Sequence, residues 1–297
     1  MPDPDRSIVV FGDIIDDVVA VPRGPIRTDT DTASSIRFRP GGSAANTASW
    51  LGSLGAPVHF IGMVGVDDTA RHTLDLMDHG VWPRLAGHPT LPTGAIVVIV
   101  EGETRTMLTE RGANAVLDPD LVTDDLLASA GILHLTGHTL FGMADPSRFT
   151  ALIARAVAAG VQVCVDPGSA GYIADFGVDQ ALAYIEGASI LVPNLEEGRA
   201  LTGLTDPLDV ASALAERFPL VALTLDTNGV IVARVGEEPI SIAAVPTEVV
   251  DPTGAGDAFT AGFLHGLFEG ETPESAAKSG VTLASRAVSS MGARPQR

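Results

Sequence analysis

The sequence has little cysteine, little aromatic character and few positive charges. Cys164 is the only cysteine in 297 residues, so no internal disulfide framework holds the fold together. Tyr and Trp occur only 2 times each. Lysine and arginine together number 18 against 37 acidic residues, which gives a formal net charge of −19. Because no basic cluster offsets this balance, neither nucleic acid nor an anionic membrane is expected as a partner.

Targeting and membrane signals are also missing. The first six residues are polar and lack the basic-then-apolar pattern of a signal peptide. No apolar run is long enough to span a bilayer. We therefore expect a cytoplasmic protein. Since 45% of the residues are hydrophobic and glycine and proline number 32 and 20, the composition predicts a globular protein with many turns.

Short apolar runs typical of buried strands alternate with helical patterns along most of the chain. This alternation predicts an α/β fold in which helices cover both faces of a parallel sheet. Ligands of such sheets bind beyond the carboxyl ends of the strands. The polar residues that fall at predicted strand ends are Asp13, Asp166, Asn194 and Asp226.

Two segments, 17–40 and 93–111, do not fit this alternation. The second contains two extended runs with a hairpin turn around Gly102. We expect the two segments to form a small separate β-sheet that acts as a lid. Because no internal repeat or linker is visible, a single domain over residues 1–297 is expected.

A turn of small residues between two carboxylates stands near the end of the chain. Its residues are Asp251, Pro252, Thr253, Gly254, Ala255, Gly256 and Asp257, and an apolar helical run follows at once. Backbone amides at a helix N-terminus attract anions, and glycines let a ligand approach closely. Asp257 fits either a general base facing a hydroxyl or a simple helix cap. Taken alone, the stretch supports both interpretations.

A second glycine-rich stretch, residues 41–48, precedes another small-residue helix. Its residues are Gly41, Gly42, Ser43, Ala44, Ala45, Asn46, Thr47 and Ala48. The two stretches, in this order, resemble the paired signatures of ribokinase-like (PfkB-type) sugar kinases. The resemblance covers residues 7–295. It implies a three-layer α/β/α fold with a small β-sheet lid, and ATP-dependent phosphorylation of a hydroxyl, usually a primary one.

The resemblance also implies roles for residues at the phosphoryl-transfer site. Asp257 matches the catalytic base, and the amides of Gly254, Ala255 and Gly256 match an anion hole for the transferred phosphoryl group. Asn194 and Glu197 match the residues that organise Mg²⁺, largely through water. The residues that match the nucleotide loop are Thr224, Asp226, Asn228 and Gly229. Asp226 replaces the usual glycine of this loop.

A monovalent-cation site is implied in the same way, as in the potassium-activated members of the family. Asp251 and Thr253 match one part of that site. The rest would come from the loop that contains Ala287, Ser290 and Gly292. Without the resemblance, Asp251 is equally consistent with a residue that caps the turn and binds no cation.

For the acceptor, Asp17, Gly42 and Asn46 match substrate-contacting positions, and Asp13 and Arg111 are added because of their predicted location. Arg111 is equally consistent with a surface ion pair. Two positions depart from ribokinases proper, which tend to have Asn at position 15 and a carboxylate near 136. This sequence has Ile15 and Thr136 at these positions and so lacks both polar contacts to the sugar. Ribose is therefore not the expected acceptor.

Two other functions remain open. One is a nucleoside kinase, for adenosine, pseudouridine or a relative, which an aromatic pair around the acceptor pocket would favour; few aromatic residues lie near the motifs. The other is a catalytically silent sugar or nucleotide sensor, against which the intact Asp257 argues. An exposed lid sheet would also allow a homodimer in which two lids cover each other.

Overall fold

The computed structural model of the chain describes residues 6–66, 68–101 and 104–296. The polar N-terminal stretch lies mostly outside this range, as does the hairpin turn expected around Gly102. For the described residues, no helix combines the length and apolar character needed to cross a membrane.

Within these residues, strands form one large and one small sheet. The strands are β1 Ser7–Phe11, β2 Ile15–Pro22, β3 Ser34–Gly41, β4 Val58–Gly65, β5 Val81–His88, β6 Gly94–Glu101, β7 Thr104–Glu110, β8 Ala130–Thr136, β9 Gln162–Asp166, β10 Ile190–Leu191, β11 Leu220–Thr224, β12 Val230–Ala233 and β13 Ile240–Ile242.

The described α-helices occur mainly between strands of the large sheet and at the end of the chain. They are α1 Ser43–Ser53, α2 Thr69–Asp78, α3 Asp124–Ala128, α4 Gly137–Leu140, α5 Ser147–Ala158, α6 Ala170–Phe176, α7 Val178–Tyr184, α8 Leu195–Thr202, α9 Pro207–Ala215, α10 Ala255–Phe268 and α11 Pro273–Val288. Short 3₁₀ turns occur at Gly112–Val116, Pro119–Leu121 and Asp226–Asn228.

The large sheet has the strand order β13-β12-β11-β10-β9-β8-β1-β4-β5. The strands from β11 to β5 in this order pair in parallel, and β12 pairs with its neighbours antiparallel. β1 is buried along its whole length because it lies inside the sheet with both faces covered. This burial explains its nearly uninterrupted apolar sequence.

Helices pack on both faces of this sheet and make three layers, α/β/α, as the sequence predicts. On one face, Val9 and Leu133 pack with apolar residues of α5 and α9. On the other face, Val10 and Ile132 pack with residues of α1, α10 and α11. Successive strand residues point to opposite faces, so each strand contributes to both cores.

The small sheet has the order β3-β2-β6-β7. β2 pairs parallel with β6, and the outer pairs are antiparallel. These strands come from the two segments that interrupt the alternation, although β2 begins two residues before position 17. β1 leads directly into β2, which brings the small sheet next to the carboxyl ends of the large sheet.

Several elements escape a reading of the sequence. β5 forms the edge of the large sheet and contains Pro83, which an edge strand tolerates because it needs ladder partners on only one side. α3, α6 and α8 are helices of five to eight residues, too short to display a helical period clearly.

Candidate active site

Polar residues at the ends of neighbouring parallel strands meet at one edge of the large sheet. Asp13 follows β1, Thr136 ends β8 and Asp166 ends β9. Asn194 follows β10 and forms a parallel bridge with Thr224 at the end of β11. Because these strands run in the same direction, the side chains gather at the carboxyl edge, where open α/β sheets bind ligands.

A cleft of about 750 Å³ lies between this edge and the small sheet. The expected acceptor-binding residues that line it are Asp13, Asp17, Gly42 and Arg111. The inner face of the small sheet adds an apolar wall that includes Val19, Val98 and Met107. The volume is in the range of small-molecule binding sites.

A second cavity of about 260 Å³ adjoins the first. Its polar lining consists of Ser43, His138, Asp166, Asn194, Glu197, Thr224, Asp257 and Thr260, together with Gly256. Ser43 and His138 line both cavities, so the two spaces meet at these residues.

The turn before α10 borders the smaller cavity. Gly254 is the N-cap of α10 and has φ 79°, a left-handed conformation that glycine adopts without strain. The N–H groups in the first turn of a helix have no intrahelical acceptor. A Cβ at Gly256 would meet no atom within 4 Å, so the backbone there is open to a ligand. The turn therefore has the geometry of an anion-binding helix start.

Asp257 lies in the first turn of α10, and two side chains hold its carboxylate. Oδ1 accepts a hydrogen bond from Ser43 Oγ at 2.7 Å, and Oδ2 accepts one from Asn46 Nδ2 at 2.9 Å. Burial raises the pKa of Asp257 to about 7; both hydrogen bonds lower it, while Asp13 and Asp17 raise it further. A carboxyl group whose pKa lies near neutrality suits proton transfer.

Asn46 lies behind Asp257 and is not among the residues that line the cleft. Its side chain is buried, and the amide oxygen accepts a hydrogen bond from Arg294 Nε at 3.1 Å. Both polar atoms of the Asn46 side chain are therefore engaged within the protein, one by Asp257 and one by Arg294. Sequence reasoning missed Arg294, which stands 248 residues from Asn46 and belongs to neither motif.

Asp13 anchors the start of α1 as well as lining the cleft. Its carboxylate accepts hydrogen bonds from the backbone N–H groups of Ser43 at 2.9 Å and Ala44 at 3.3 Å. Thr136 Oγ1 also donates to it at 3.1 Å. Gly42 precedes this helix with φ 92°, and a Cβ there would lie 2.6 Å from the Asp13 carbonyl oxygen. Only glycine fits this approach.

Asp17 and Arg111 reach the cleft from the side of the small sheet. Burial raises the pKa of Asp17 to about 6, and Arg294 opposes this rise. Arg111 Nη1 donates to the carbonyl oxygen of His138 at 2.5 Å, and its guanidinium lies 5.1 Å above the ring of Tyr172. Tyr172 also lines the cleft. Sequence reasoning missed it because α6, which carries it, is too short to be recognised.

Asn194 and Glu197 form a capping box at the start of α8. Glu197 accepts from the Asn194 backbone N–H at 2.9 Å and from its Nδ2 at 2.7 Å. Burial raises the pKa of Glu197 to about 7, although these bonds lower it. Burial, together with the charge of Glu197, also holds the pKa of Asp166 well above its usual range. With Asp257, three carboxyl groups line this small cavity, and their mutual repulsion favours a cation there.

The residues of the expected nucleotide loop differ in their relation to the two cavities. Thr224 lines the smaller cavity, whereas Asp226, Asn228 and Gly229 are absent from the described lining of both cavities. Asp226 has φ 49° and Gly229 has φ 94°. An aspartate tolerates this left-handed conformation better than most residues.

The residues expected to bind a monovalent cation form two linked groups. Asp251 accepts hydrogen bonds from Thr253 N at 3.0 Å, from Thr253 Oγ1 at 2.6 Å and from Gly292 N at 3.0 Å. Ser290 donates to the Ala287 carbonyl in the turn that leads to Gly292. Asp251 thus joins the glycine-rich turn to the loop after α11. Across the described residues, no three Asp, Glu, His or Cys side chains cluster closely enough to hold a metal ion.

Solved structures of other proteins share this fold. Adenosine kinase from Sinorhizobium meliloti superposes with a TM-score of 0.87 at 26% identity, covering 98% of this chain and 96% of that one. Arabidopsis thaliana ribokinase, complexed with ribose and ATP, superposes with a TM-score of 0.81 at 27% identity, covering 97% and 94%. The architecture is therefore the ribokinase-like α/β/α fold.

Sequence comparison agrees with the structural likeness. A ribokinase of Arabidopsis thaliana is 30% identical over 304 residues, covering 97% of this chain and 77% of the relative. The family model for pfkB family carbohydrate kinases matches residues 5–297. The chain belongs to the pfkB family, and its class is therefore that of a phosphotransferase.

Proposed function

We propose that the protein transfers the γ-phosphoryl group of ATP to a hydroxyl, usually a primary one, of a small carbohydrate. The observation that carries this proposal is that Asp257 lines the smaller cavity and is hydrogen-bonded to a residue shared by both cavities. Ser43, which donates to Asp257, lines both spaces. The larger cleft accommodates the acceptor, and the smaller cavity takes the phosphates of ATP. The solved Arabidopsis ribokinase, which holds ribose and ATP, supports this assignment.

In this reaction Asp257 acts as general base. The acceptor hydroxyl loses its proton to the carboxylate as its oxygen forms a bond to the γ-phosphorus. The bond from that phosphorus to the bridging oxygen breaks, and ADP leaves. The amides of Gly254, Ala255 and Gly256, at the positive end of α10, stabilise the charge on the transferred group. Acceptor contacts come from Asp13, Asp17, Gly42 and Arg111, and Asn46 acts through Asp257.

Mg²⁺ accompanies ATP in this proposal. Glu197 and Asn194 organise the ion through water, and Asp166 joins them because it lines the same cavity. The ion supplies charge neutralisation of the nucleotide phosphates. Since no three acidic, His or Cys side chains cluster among the described residues, the ion would depend on water and phosphate oxygens for its remaining ligands. Thr224, Asp226, Asn228 and Gly229 form the loop under the nucleotide.

Potassium is proposed as an activator. Oxygen atoms of Asp251, Thr253, Ala287, Ser290 and Gly292 provide the hard, weakly charged ligands that a large monovalent cation requires. Equal activity in potassium and in a buffer whose only cation is tetramethylammonium contradicts this role.

We propose that the small sheet is a lid and that its outer face pairs with a second copy of this chain. The cleft is lined by one set of alternating residues, so their neighbours face outward. One outward row runs across all four strands and consists of Phe38, Val18, Val97 and Leu108. Phe38 is 78% exposed and Leu108 is 57% exposed. An uncovered apolar face of this kind marks an interface.

The proposed base is tested by the Asp257→Asn substitution. We expect turnover to fall by about 10³-fold or more while ATP and acceptor binding remain measurable by calorimetry, because the amide keeps the shape but cannot accept the proton. Asp179→Asn, at an exposed position on α7, is the matched control and should leave turnover unchanged. A near-normal rate for Asp257→Asn rejects the general-base assignment.

A nucleoside kinase is the second candidate function. The observation in its favour is Tyr172, whose ring lines the cleft together with an apolar wall, as a base would require. Adenosine kinase from Sinorhizobium meliloti supports it by similarity. If the acceptor is a nucleoside, Tyr172→Ala should lower kcat/KM about 10-fold or more through lost stacking, roughly 1–3 kcal/mol per base.

The acceptor is identified by an ATP-consumption screen, with and without potassium. The screen covers pentoses, hexoses, ketoses, 2-keto-3-deoxy acids and nucleosides. A sugar as the best acceptor supports the main proposal, and a nucleoside supports the second. Binding of a sugar or of ATP without any consumption supports a sensor, the remaining alternative.

A further inference from the structure

Arg294 is a buried cation close to the proposed active site, and it joins three separate elements. Only 5% of its surface is exposed. Nε donates to Asn46 Oδ1 on α1 at 3.1 Å, and Nη2 donates to the Gly41 carbonyl at the end of β3 at 2.8 Å. Nη1 pairs with Asp75 on α2. Each arm of the guanidinium therefore has its own acceptor, a geometry that lysine cannot reproduce.

The bond to Asn46 determines which way that amide points. Asn46 Oδ1 faces Arg294, so Nδ2 faces Asp257 and donates to it at 2.9 Å. In the opposite orientation, Nδ2 would meet another donor at Arg294, and Oδ1 would meet the carboxylate of Asp257. Both contacts would be repulsive, because a guanidinium has no acceptor and a carboxylate has no donor.

We propose that Arg294 is a positioning residue that fixes the Asn46 amide and, through it, orients the Asp257 carboxylate. The inference rests on the proposed role of Asp257 as general base. Ser43 holds Oδ1 of Asp257 and Asn46 holds Oδ2. With both oxygens held, rotation of the carboxyl group is restricted, so its free lone pairs keep one direction toward the acceptor.

Asp257 has several acidic neighbours, so its protonation depends on the groups that oppose their charge. Asp13, Asp17 and Asp166 all act on Asp257 or are acted on by it as like charges. Arg294 is a buried cation whose charge interacts with both Asp17 and Asp257. Loss of Arg294 therefore removes the lock on the amide and an opposing positive charge at the same time. Both changes favour the protonated form of Asp257.

Arg294→Gln tests the proposal through the pH profile. We expect kcat to fall about 10-fold to 100-fold and the acid limb of the kcat profile to move upward by about one pH unit. KM for ATP should stay within about twofold, since Arg294 does not line the cavity proposed for the phosphates. Arg286→Gln, at the solvent side of α11, is the control and should change neither kcat nor the acid limb. An unmoved acid limb for Arg294→Gln contradicts the proposal.

A double-mutant cycle with Asn46→Ala separates positioning from a structural role. If Arg294 acts mainly through Asn46, the fall in kcat caused by Arg294→Gln should be at least about threefold smaller in the Asn46→Ala background than in wild type, and the fall that remains reflects the lost positive charge. A full effect in that background overturns the proposal. Asp75→Asn removes the ion pair but keeps the bond to Asn46, so it should reduce the melting temperature without moving the acid limb. A shift of the acid limb in Asp75→Asn would also count against a specific action through Asn46.

If Arg294→Gln folds poorly, chemical rescue of a second variant tests the same proposal. Arg294→Ala leaves a cavity that a free guanidinium ion at millimolar concentration can enter, and we expect it to restore part of kcat, whereas sodium at equal ionic strength should not. No rescue in a folded Arg294→Ala protein contradicts the proposal. If Asp257→Asn itself retains activity, the proposed function fails. If Asp257 is required but the effects of Arg294→Gln and Asn46→Ala on kcat are additive, the proposed function stands and only the positioning role of Arg294 is rejected.

Discussion

A Cβ on Gly254 would lie 2.7 Å from both the Cα and the carbonyl oxygen of Ala293. The first residue of the proposed anion hole is thus packed directly against the loop that follows α11. Gly254 also has φ 79°, which a side chain disfavours. The backbone of the glycine-rich turn is therefore held in place by the end of the chain, a contact between residues that are distant in sequence.

Gly254→Ala should lower both stability and activity, whereas Gly256→Ala should lower activity alone. The first substitution combines a left-handed backbone with a clash, and we expect a loss of about 1–2 kcal/mol or more. A Cβ at Gly256 meets no protein atom, but it enters the cavity proposed for the phosphates. Chemical unfolding and turnover measured on both variants check this. Equal stabilities would contradict the packing argument.

The pKa of Asp257, about 7 in the folded protein, predicts a pH-dependent difference between wild type and Asp257→Asn. The folded carboxyl group holds its proton up to about pH 7, whereas the unfolded group loses it near its ordinary value of 3.8. Its contribution to stability is therefore present at low pH and is lost as the pH rises through about 7.

The melting temperature of Asp257→Asn minus that of wild type should consequently be larger at pH 8 than at pH 5. Calorimetric scans at both values test the sign, and the buried histidines cancel because both proteins contain them. Asp179→Asn should show a constant difference. A difference that shrinks with rising pH would mean that burial does not raise the pKa of Asp257.

Glu197→Gln should weaken the response to Mg²⁺. The substitution removes a charge from a carboxylate that is only 3% exposed and lines the proposed phosphate cavity. We expect the Mg²⁺ concentration for half-maximal activity to rise about 10-fold or more, the range for residues that act on a metal through water. Glu196→Gln, whose side chain pairs with Arg199 in solvent, is the control. An unchanged Mg²⁺ titration for Glu197→Gln would place the metal elsewhere.

Phe38→Asp should convert the proposed dimer to a monomer. The aspartate places a charge at the β3 end of the outward apolar row, in place of its most exposed side chain, where a partner would have to bury it. Light scattering after gel filtration measures the mass. Val157→Asp changes a residue that is 51% exposed on α5, a helix packed on the large sheet, and should leave the mass unchanged. A monomeric wild-type protein at micromolar concentration would contradict pairing through the small sheet.

The layered fold was predictable because it follows from local patterns. Alternating strands and helices indicate a covered parallel sheet, and the sheet is found, with polar residues at the expected edge. The capping box of Asn194 and Glu197 was equally accessible, since its partners are three residues apart. β5 could not be predicted from the sequence, because an edge strand with a proline lacks the apolar run by which buried strands are recognised.

The proposed site was only partly predictable. The glycine-rich stretches and Asp257 are visible in the sequence because close backbone approach and a helix start require particular residue types at fixed spacing. For Asn46, the sequence predicts a contact with the acceptor but gives no sign of its hydrogen bonds to Asp257 and Arg294. The orientation of an amide depends on its neighbours in space, and these come from the other end of the chain.

By itself, the sequence determined the alternation of elements, the small-residue turns that bring the backbone close to a ligand, and the carboxylate at the start of α10. The tertiary structure decided how Asp257 is held and charged. Ser43 reaches it across 214 positions and Arg294 reaches Asn46 across 248. Neither contact leaves a local pattern, because burial and hydrogen bonding between distant segments arise only when the chain has folded.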